Sequence, residues 1–390
     1  MKKYLSIPIL LVFILLVGTA VRPAAAIDTR DTRFLGQPAF SQARLAFVYA
    51  NDLWVAEPDG RNPRRLTTDI GVESSPVFSS NGRFIAFSAQ YEGNTDVYVV
   101  PAEGGIPKRL TWHPVADMVQ GFSADGSSVY FTSNRHSSNR PEFRLFKVSV
   151  EGGFPEEYKI PSIFRAAVSP DGQYVAYNPL PEAFGQWKHY RGGRVSEIWV
   201  LKLSDFSVEK IPQPKGRSND FKAMWLRDKI YFLSDRSGEF NLFSFDPKTK
   251  AVKQQTDFAD FPILNASFGA GKIIFERAGY LHLFDPATAR SARVTIGVAA
   301  DLLELRARFA RGPQWIRRGS ISPSGARAVF EFRGEIVTVP AEKGDFRNIT
   351  NATGTHERSP VWSPDGKSIA YVSEASGEYE LLVANQDGKG

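Results

Sequence analysis

Basic side chains cluster in two segments of this 390-residue chain, and both segments interrupt otherwise regular sequence. The residues concerned are Arg135, Arg140, Lys188, Arg191 and Arg194. Guanidinium and ammonium groups bind carboxylates through charge-assisted hydrogen bonds. We therefore predict that these five residues bind an anionic substrate group, such as the C-terminal carboxylate of a peptide. The alternative is that both segments are solvated basic loops without a ligand.

The sequence lacks the motifs of the common hydrolases and metalloenzymes. No Gly-x-Ser-x-Gly nucleophile elbow is present, and no His-Glu-x-x-His metal motif occurs. Cysteine is absent, which excludes thiolate catalysis, disulfides and cysteine-ligated zinc. The five histidines lie far apart in the sequence, at His113, His136, His189, His282 and His356. We predict no catalytic residue, no metal site and no cofactor in this chain.

A repeated unit must position the two basic segments. Each unit has a small-residue turn, a strand with alternating apolar and polar residues, and a second strand that ends near glycine or proline. One anchor residue precedes the first such strand of each unit, and the anchors are Phe40, Phe78, Phe122, Val168, Trp225, Phe268, Ile321 and Trp362. Their mean spacing of 46 residues is typical of β-propeller blades. The sequence predicts an all-β propeller of four-stranded blades.

The repeat is interrupted between Val294 and Ile321, after six units and before the last two. Either all eight units form one ring, or a six-bladed ring is followed by the first blades of a second propeller. The sequence stops inside its last unit, which favours the second arrangement. We predict a six-bladed propeller over 27–305 and the start of a second, seven-bladed propeller over 306–390. Asp125, Asp171 and Asp365 are predicted to cap turns within these blades.

The first 26 residues have the pattern of an export signal. Lys2 and Lys3 precede an apolar run over 9–17, and small residues over 24–26 fit a cleavage site before Ile27. An uncleaved anchor is the alternative, although the apolar run is short for spanning a bilayer. Cleavage would lower the net charge from +6 to +3, which argues against a nucleic-acid partner. We expect an exported protein, periplasmic or secreted, with no membrane attachment after cleavage.

Several stretches resemble the N-terminal region of bacterial tricorn-type serine proteases. They are residues 52–55, 71–74, 91–98, 101–105, 187–193 and 359–366. The resemblance implies a large peptidase with a six-bladed propeller, a seven-bladed propeller, a PDZ-like module and a catalytic core, often assembled as a hexamer. Its propellers guide peptides to or from the core. Export is a departure, because the archetypal tricorn protease is cytosolic.

The resemblance implies that this chain guides or gates peptides, or unfolded polypeptide, for a catalytic core outside it. A homo-oligomer is the expected assembly. Two alternatives stay open. One is a stand-alone exported propeller that binds a protein partner, and the other is the propeller of a prolyl-oligopeptidase-type hydrolase.

Overall fold

The computed structural model describes residues 28–137, 142–302, 312–352 and 354–389. These residues contain 31 β-strands and the short 3-10 helices Ala183–Gly185 and Pro313–Trp315. The chain divides into two compact units, Met1–Asp301 and Leu302–Gly390. The predicted export signal over 1–26 and the predicted domain boundary between 305 and 306 lie outside the described residues.

Six four-stranded antiparallel sheets form the first unit, and each sheet is built from four consecutive strands. Blade 1 consists of β1 Gly36–Phe40, β2 Leu45–Tyr49, β3 Asp52–Ala56 and β4 Arg64–Arg65. Blade 2 consists of β5 Glu73–Phe78, β6 Phe84–Ala89, β7 Asp96–Pro101 and β8 Lys108–Arg109. Blade 3 consists of β9 Asp117–Phe122, β10 Ser128–Ser133, β11 Arg144–Ser149 and β12 Glu156–Glu157.

The next three blades repeat this order. Blade 4 consists of β13 Arg165–Val168, β14 Tyr174–Asn178, β15 Trp199–Lys202 and β16 Val208–Lys210. Blade 5 consists of β17 Asp220–Leu226, β18 Lys229–Ser234, β19 Asn241–Phe245 and β20 Val252–Gln254. Blade 6 consists of β21 Ile263–Gly269, β22 Lys272–Arg277, β23 Tyr280–Asp285 and β24 Arg290–Val294. The first strand of each blade is called its inner strand below.

Side-chain hydrogen bonds fix the turn between the first two strands of several blades. In blade 3 the Asp125 carboxylate accepts a hydrogen bond from the Ser127 amide at 3.0 Å, and Gly126 has a φ of 74°. The Ser123 hydroxyl accepts from the Ser128 amide at 3.0 Å. Asp171 and Asp365 accept from the equivalent amides in their own turns, as the sequence predicts. These local bonds set the register of each hairpin.

Neighbouring blades bury their apolar faces against each other. One core cluster joins Ala39 and Leu53 of blade 1 to Ile85 and Phe87 of blade 2, and none of these side chains is more than 2% exposed. Burial of a side chain of the size of leucine or phenylalanine stabilises a fold by about 1.5–3 kcal/mol. Apolar strand residues of the repeat therefore hold these blades together.

The six blades of the first unit close into a ring. The inner strand of blade 1 packs against the inner strands of both blade 2 and blade 6. A Cβ added to Gly269 of blade 6 would lie 1.7 Å from the carbonyl oxygen of Phe40, so only glycine allows this approach. The amide of Thr32 also donates to the carbonyl of Ile296 at 2.8 Å, which ties the two ends of the ring together. The predicted six-bladed ring of four-stranded blades is thus confirmed.

The described residues of the second unit form two further blades. Its four-stranded sheet consists of β25 Ile316–Ile321, β26 Arg327–Phe332, β27 Glu335–Pro340 and β28 Arg347–Asn348. Its three-stranded sheet consists of β29 Arg358–Trp362, β30 Ser368–Ser373 and β31 Glu380–Asn385. A small core of Val329, Ile336, Ile349 and Ile369 joins the two sheets.

Candidate functional site: the central cavity of the six-bladed unit

A cavity of about 740 Å³ lies where the six inner strands of the first unit meet. Residues from every blade line it, so the cavity follows directly from ring closure. Most of the wall is made of small, apolar or uncharged polar side chains. Concave sites lined in this way, with a few placed polar groups, are the usual location of ligand binding.

A repeated position supplies much of the polar wall. It is the residue three positions before the anchor of each blade, and the cavity-lining residues there are Gln37, Ser75, Val119, Arg165, Lys222 and Asn265. Gln37, Ser75 and Lys222 adopt positive φ values of 48°, 53° and 56° at irregularities in the strand pairing. Such bulges turn a side chain away from the regular alternation of a strand.

Arg165 and Lys222 are the charged residues of the wall, and no aspartate or glutamate lines the cavity in the described part of the chain. Arg165 forms an ion pair with Glu182, and its Nη2 donates to the Glu182 Oε2 at 3.0 Å. The Lys222 ammonium makes no hydrogen bond or ion pair with any described residue. Burial, followed by the charge of Arg165, lowers the pKa of Lys222 to about 7. The wall therefore has a positive potential with one ammonium group left without a partner.

Hydrogen bonds between blades hold this part of the wall in place. The backbone amide of Gln37 donates to the Glu276 Oε2 at 3.0 Å. The side-chain Oε1 of Gln37 accepts from the backbone amide of Ser75 at 2.6 Å. In the same way the Gln120 Oε1 of blade 3 accepts from the Ala166 amide of blade 4 at 3.1 Å. Burial raises the pKa of Glu276, while the bond from Gln37 and the charge of Lys222 oppose this rise. The polar groups at the inner strands thus link one blade to the next.

The predicted substrate-binding residue Arg135 lies within blade 3 and is only 10% exposed at its side chain. Its Nη2 donates to the Asp117 Oδ2 at 2.6 Å. Its guanidinium lies over the rings of Phe131 and Phe146, with its Cζ 5.1 and 4.9 Å from the two ring centroids. These contacts account for Arg135 through packing and pairing within the blade, and its substrate contact stays a prediction.

Blade 5 repeats this arrangement with different residues. The Arg236 Nη2 donates to the buried Asp220 Oδ2 at 2.6 Å, and the Arg236 Cζ lies 5.3 and 5.4 Å from the ring centroids of Phe232 and Phe243. In both blades the arginine follows the first phenylalanine by four positions. We call this arrangement of an acid, an arginine and two stacked rings the ring-stacked corner.

Blade 2 has the same corner without a cation. Tyr91 follows Phe87 by four positions, and its ring contacts Phe87 and Tyr98 at centroid distances of 6.4 and 4.8 Å. Glu73 occupies the place of the aspartate and is fully buried. Neither of its carboxylate oxygens has a hydrogen-bond partner among the described residues, and the Tyr91 hydroxyl has none either. Burial raises the pKa of Glu73 to about 7, against the opposing effect of the Tyr91 hydroxyl.

The second predicted basic segment is held against blade 5 by ion pairs. The Lys188 Nζ lies 2.7 Å from the Glu239 Oε1, and the Arg191 Nη1 lies 2.7 Å from the Oδ2 of the buried Asp235. The structure therefore brings Lys188 and Arg191 together, while Arg135 lies in a different blade.

Arg194 differs from these two residues. Its side chain is exposed and forms no ion pair with a described residue. Arg140 lies outside the described residues. Carboxylate binding by these two arginines, and by Lys188 and Arg191, stays a prediction.

Sequence reasoning missed Arg165 and Lys222 as cavity residues. The signal was available in the repeat, since both lie three positions before an anchor, at Val168 and Trp225. Comparing this position across the units shows that the first six units carry two cations and no acid there. No single loop shows this pattern, because it appears only when equivalent positions of the units are aligned.

The described residues contain no group of three or more histidine, aspartate and glutamate side chains placed to hold a metal ion. Within the same residues, no helix has the length and apolar character needed to cross a bilayer. The polar groups and the two cations of the cavity wall can bind a ligand through hydrogen bonds and positive charge.

Comparison with known proteins places this geometry in a family. Residues 32–290 match the model of the tricorn protease N-terminal beta propeller domain. A tricorn protease homolog of Saccharolobus solfataricus is 26% identical over 351 residues, which cover 88% of this chain and 32% of that relative. A putative tricorn protease homolog 2 of Streptomyces coelicolor is 27% identical over 363 residues, covering 90% of this chain and 30% of the relative.

The chain spans about a third of the length of these curated relatives. A crystal structure of the tricorn protease shares the fold with a TM-score of 0.59 and 18% identity, over 92% of this chain and 44% of that one. The family model covers the six blades from the segment before β1 into β24, which is the ring that encloses the cavity. The chain belongs to the tricorn protease N-terminal β-propeller family.

Proposed function

We propose that this chain is the propeller portion of an exported tricorn-like serine peptidase and that its first unit guides peptides through the central cavity. Family membership supports a propeller associated with a protease. The observation that carries the proposal is the cavity of about 740 Å³, whose wall is uncharged except for two cations. An extended peptide has one negatively charged end, so such a wall attracts that end without binding most side chains strongly. Catalysis then takes place in a part of the peptidase outside this chain, and the peptidase assembles as a homo-oligomer.

The experiment is to narrow one mouth of the cavity and measure peptide binding. Ala124 lies exposed in the first turn of blade 3 and lines the cavity, so Ala124→Trp adds bulk there without disturbing the core. We expect the variant to weaken binding of a fluorescent decapeptide with a free C-terminus about fivefold or more, as measured by fluorescence anisotropy with the full chain. Binding in this assay reports the guiding role directly.

Ala251→Trp is the matched control. Ala251 is exposed just before β20, the last and outermost strand of blade 5, and it does not line the cavity. It should bind the decapeptide as the unchanged chain does. Equal binding by both tryptophan variants, or no binding by the unchanged chain, would contradict the guiding role.

Export is tested separately by mass spectrometry of the protein secreted or released to the periplasm by a host expressing the whole sequence. We expect a mature N-terminus at Ile27, since residues 24–26 fit a signal-peptidase site. A protein that keeps residues 1–26 would overturn the cleavage.

A further inference from the structure

Two cations meet on one side of the cavity wall. Arg165 on the inner strand of blade 4 and Lys222 on the inner strand of blade 5 occupy the same repeat position, and these two strands pack against each other. The Arg165 Cζ also lies 6.0 Å from the ring centroid of Phe221, the residue before Lys222. The fold thus places a guanidinium and an ammonium group next to each other and facing the same enclosed space.

The acids around these cations are already engaged. Glu182 pairs with Arg165 through the Nε and Nη2 atoms of the guanidinium. Glu276, on the second strand of blade 6, accepts the Gln37 amide and forms no ion pair with a described cation. The Nη1 of Arg165 and the ammonium of Lys222 therefore have no hydrogen-bond partner among the described residues.

A partly buried ammonium without a partner is costly, because it has lost water and gained no hydrogen bond. The charged groups that face Lys222 are Arg165, Glu182 and Glu276, and the effect of burial and of Arg165 exceeds that of the two acids. An oxyanion placed between Lys222 and Arg165 would supply the missing acceptor and offset the repulsion between the two cations. A purely structural lysine would instead be expected to have an acceptor within the protein.

We propose that Lys222 and Arg165 form an oxyanion-binding site on the wall of the central cavity. The ligand chemistry is a carboxylate or phosphate oxygen pair, carried either by the C-terminus of a peptide inside the cavity or by a free inorganic anion. Binding of a peptide C-terminus here rests on the proposed guiding function, whereas binding of an anion by Lys222 and Arg165 does not. Because the ammonium must carry its proton to bind, occupancy increases as the pH falls through 7.

The first measurement follows Lys222 itself in the full chain. Reductive ¹³C-methylation gives each lysine an NMR signal, and the signal missing from the Lys222→Gln variant belongs to Lys222. Glutamine is a suitable replacement, since Gln37 adopts a similar positive φ at the same repeat position. With inorganic phosphate as the probe, we expect the titration midpoint of Lys222 to rise by at least half a pH unit. The signal of Lys253, which is exposed on the outer strand of the same blade, should not move.

The second measurement compares two labelled decapeptides of one sequence, one with a free C-terminus and one amidated. At pH 6 we expect the peptide with the free C-terminus to bind the full chain about tenfold more tightly than the amidated peptide. This is the effect of about one charge-assisted hydrogen bond. Lys222→Gln should remove this preference, while Lys253→Gln should keep it.

The two measurements separate the sources. A phosphate response without an acid preference assigns the site to free anions, which keeps the site and removes support for peptide guiding. A Lys222 midpoint that responds neither to phosphate nor to the acid peptide overturns the site. If the Lys222→Gln variant still binds the peptide with the free C-terminus more tightly than the amidated peptide, Lys222 does not contact the peptide C-terminus.

Discussion

Blades 5 and 2 build the ring-stacked corner in opposite electrostatic ways. In blade 5 the buried Asp220 pairs with Arg236, whose guanidinium lies over two phenylalanine rings. In blade 2 the buried Glu73 faces Tyr91, whose ring contacts the equivalent ring pair edge-on. The strand register is the same in both blades. Asp220 lies opposite Ser234, two positions before Arg236, and Glu73 lies opposite Ala89, two positions before Tyr91.

The comparison shows that the backbone of the corner does not require an ion pair. Ring stacking is common to both blades, so packing defines the corner and the charges are secondary. The charges determine how the corner responds to pH. Blade 5 keeps a cation beside its acid, although burial raises the pKa of Asp220 to about 6. Blade 2 has no such cation, and burial raises the pKa of Glu73 to about 7.

The largest expected effect comes from removing the cation of blade 5. Arg236→Met keeps an apolar side chain over the rings but leaves Asp220 buried without its partner. Breaking a buried pair on one side costs about 3–5 kcal/mol. We expect the free energy of unfolding of the full chain to fall by about 4 kcal/mol at pH 8, measured by denaturant titration followed by tryptophan fluorescence.

The loss should be smaller at pH 5, because the pKa of Asp220 without Arg236 rises further and the folded chain then takes up a proton. Adding Asp220→Asn to Arg236→Met should recover most of the stability, since it removes the buried charge. Lys253→Met is the control for loss of a surface charge on the same blade. A loss of equal size at both pH values would show that stacking, not the charge, carries the effect.

The next effect concerns the uncharged corner of blade 2. The folded-state pKa of Glu73 lies above its usual value of 4.5, at about 7. Its contribution to stability is therefore complete below pH 4.5 and is lost as the pH rises through 7, a change of ~3 kcal/mol. Glu73→Gln should match the unchanged chain at pH 5 and be ~2–3 kcal/mol more stable at pH 8.

Thermal unfolding of both proteins from pH 5 to pH 8 checks this, with the difference between them as the quantity of interest. Taking the difference cancels the titration of all other groups. A difference that does not change with pH would mean that Glu73 is ionised throughout, contrary to its complete burial without a partner.

Much of the fold was predictable because its signals are local. The anchors, such as Phe78 and Trp362, and the turns with Asp125 and Asp171 depend on residues close in sequence. Alternation and turn chemistry therefore predicted the blades, and the interruption of the repeat after six units favoured the six-bladed ring.

The site was less predictable because its contacts join distant residues. Arg135 looked like a free basic residue, and its partner Asp117 is 18 positions away across a strand pair. The four-residue spacing shared by Arg135 and Arg236 was visible, but its meaning depends on strand register. For Lys222, the missing information was burial, which follows from ring closure and not from the residues beside it.

The smallest expected effect comes from a substitution that converts the corner of blade 2 into the kind found in blade 5. Tyr91→Arg places a guanidinium over Phe87 and Tyr98, four positions after Phe87 as in blades 3 and 5, and next to Glu73. The new cation should lower the pKa of Glu73 and so remove much of the pH dependence of blade 2. We expect a gain of about 1 kcal/mol at pH 8 and a small loss at pH 5, where the neutral Glu73 of the unchanged chain needs no cation and burying the arginine still costs desolvation.

Denaturant titrations at pH 5 and pH 8 measure this, with Tyr91→Phe as the control that keeps the ring and removes the hydroxyl. Because that hydroxyl lowers the pKa of Glu73, its loss should steepen the pH dependence while Tyr91→Arg flattens it. Glutamate is one methylene longer than the aspartates of blades 3 and 5, so the double variant Glu73→Asp/Tyr91→Arg should show the flattest profile. If Tyr91→Arg and Tyr91→Phe change the pH dependence of the unfolding free energy in the same direction, the ring pair does not position a guanidinium in blade 2. The equivalence of the corners would then be limited to their packing.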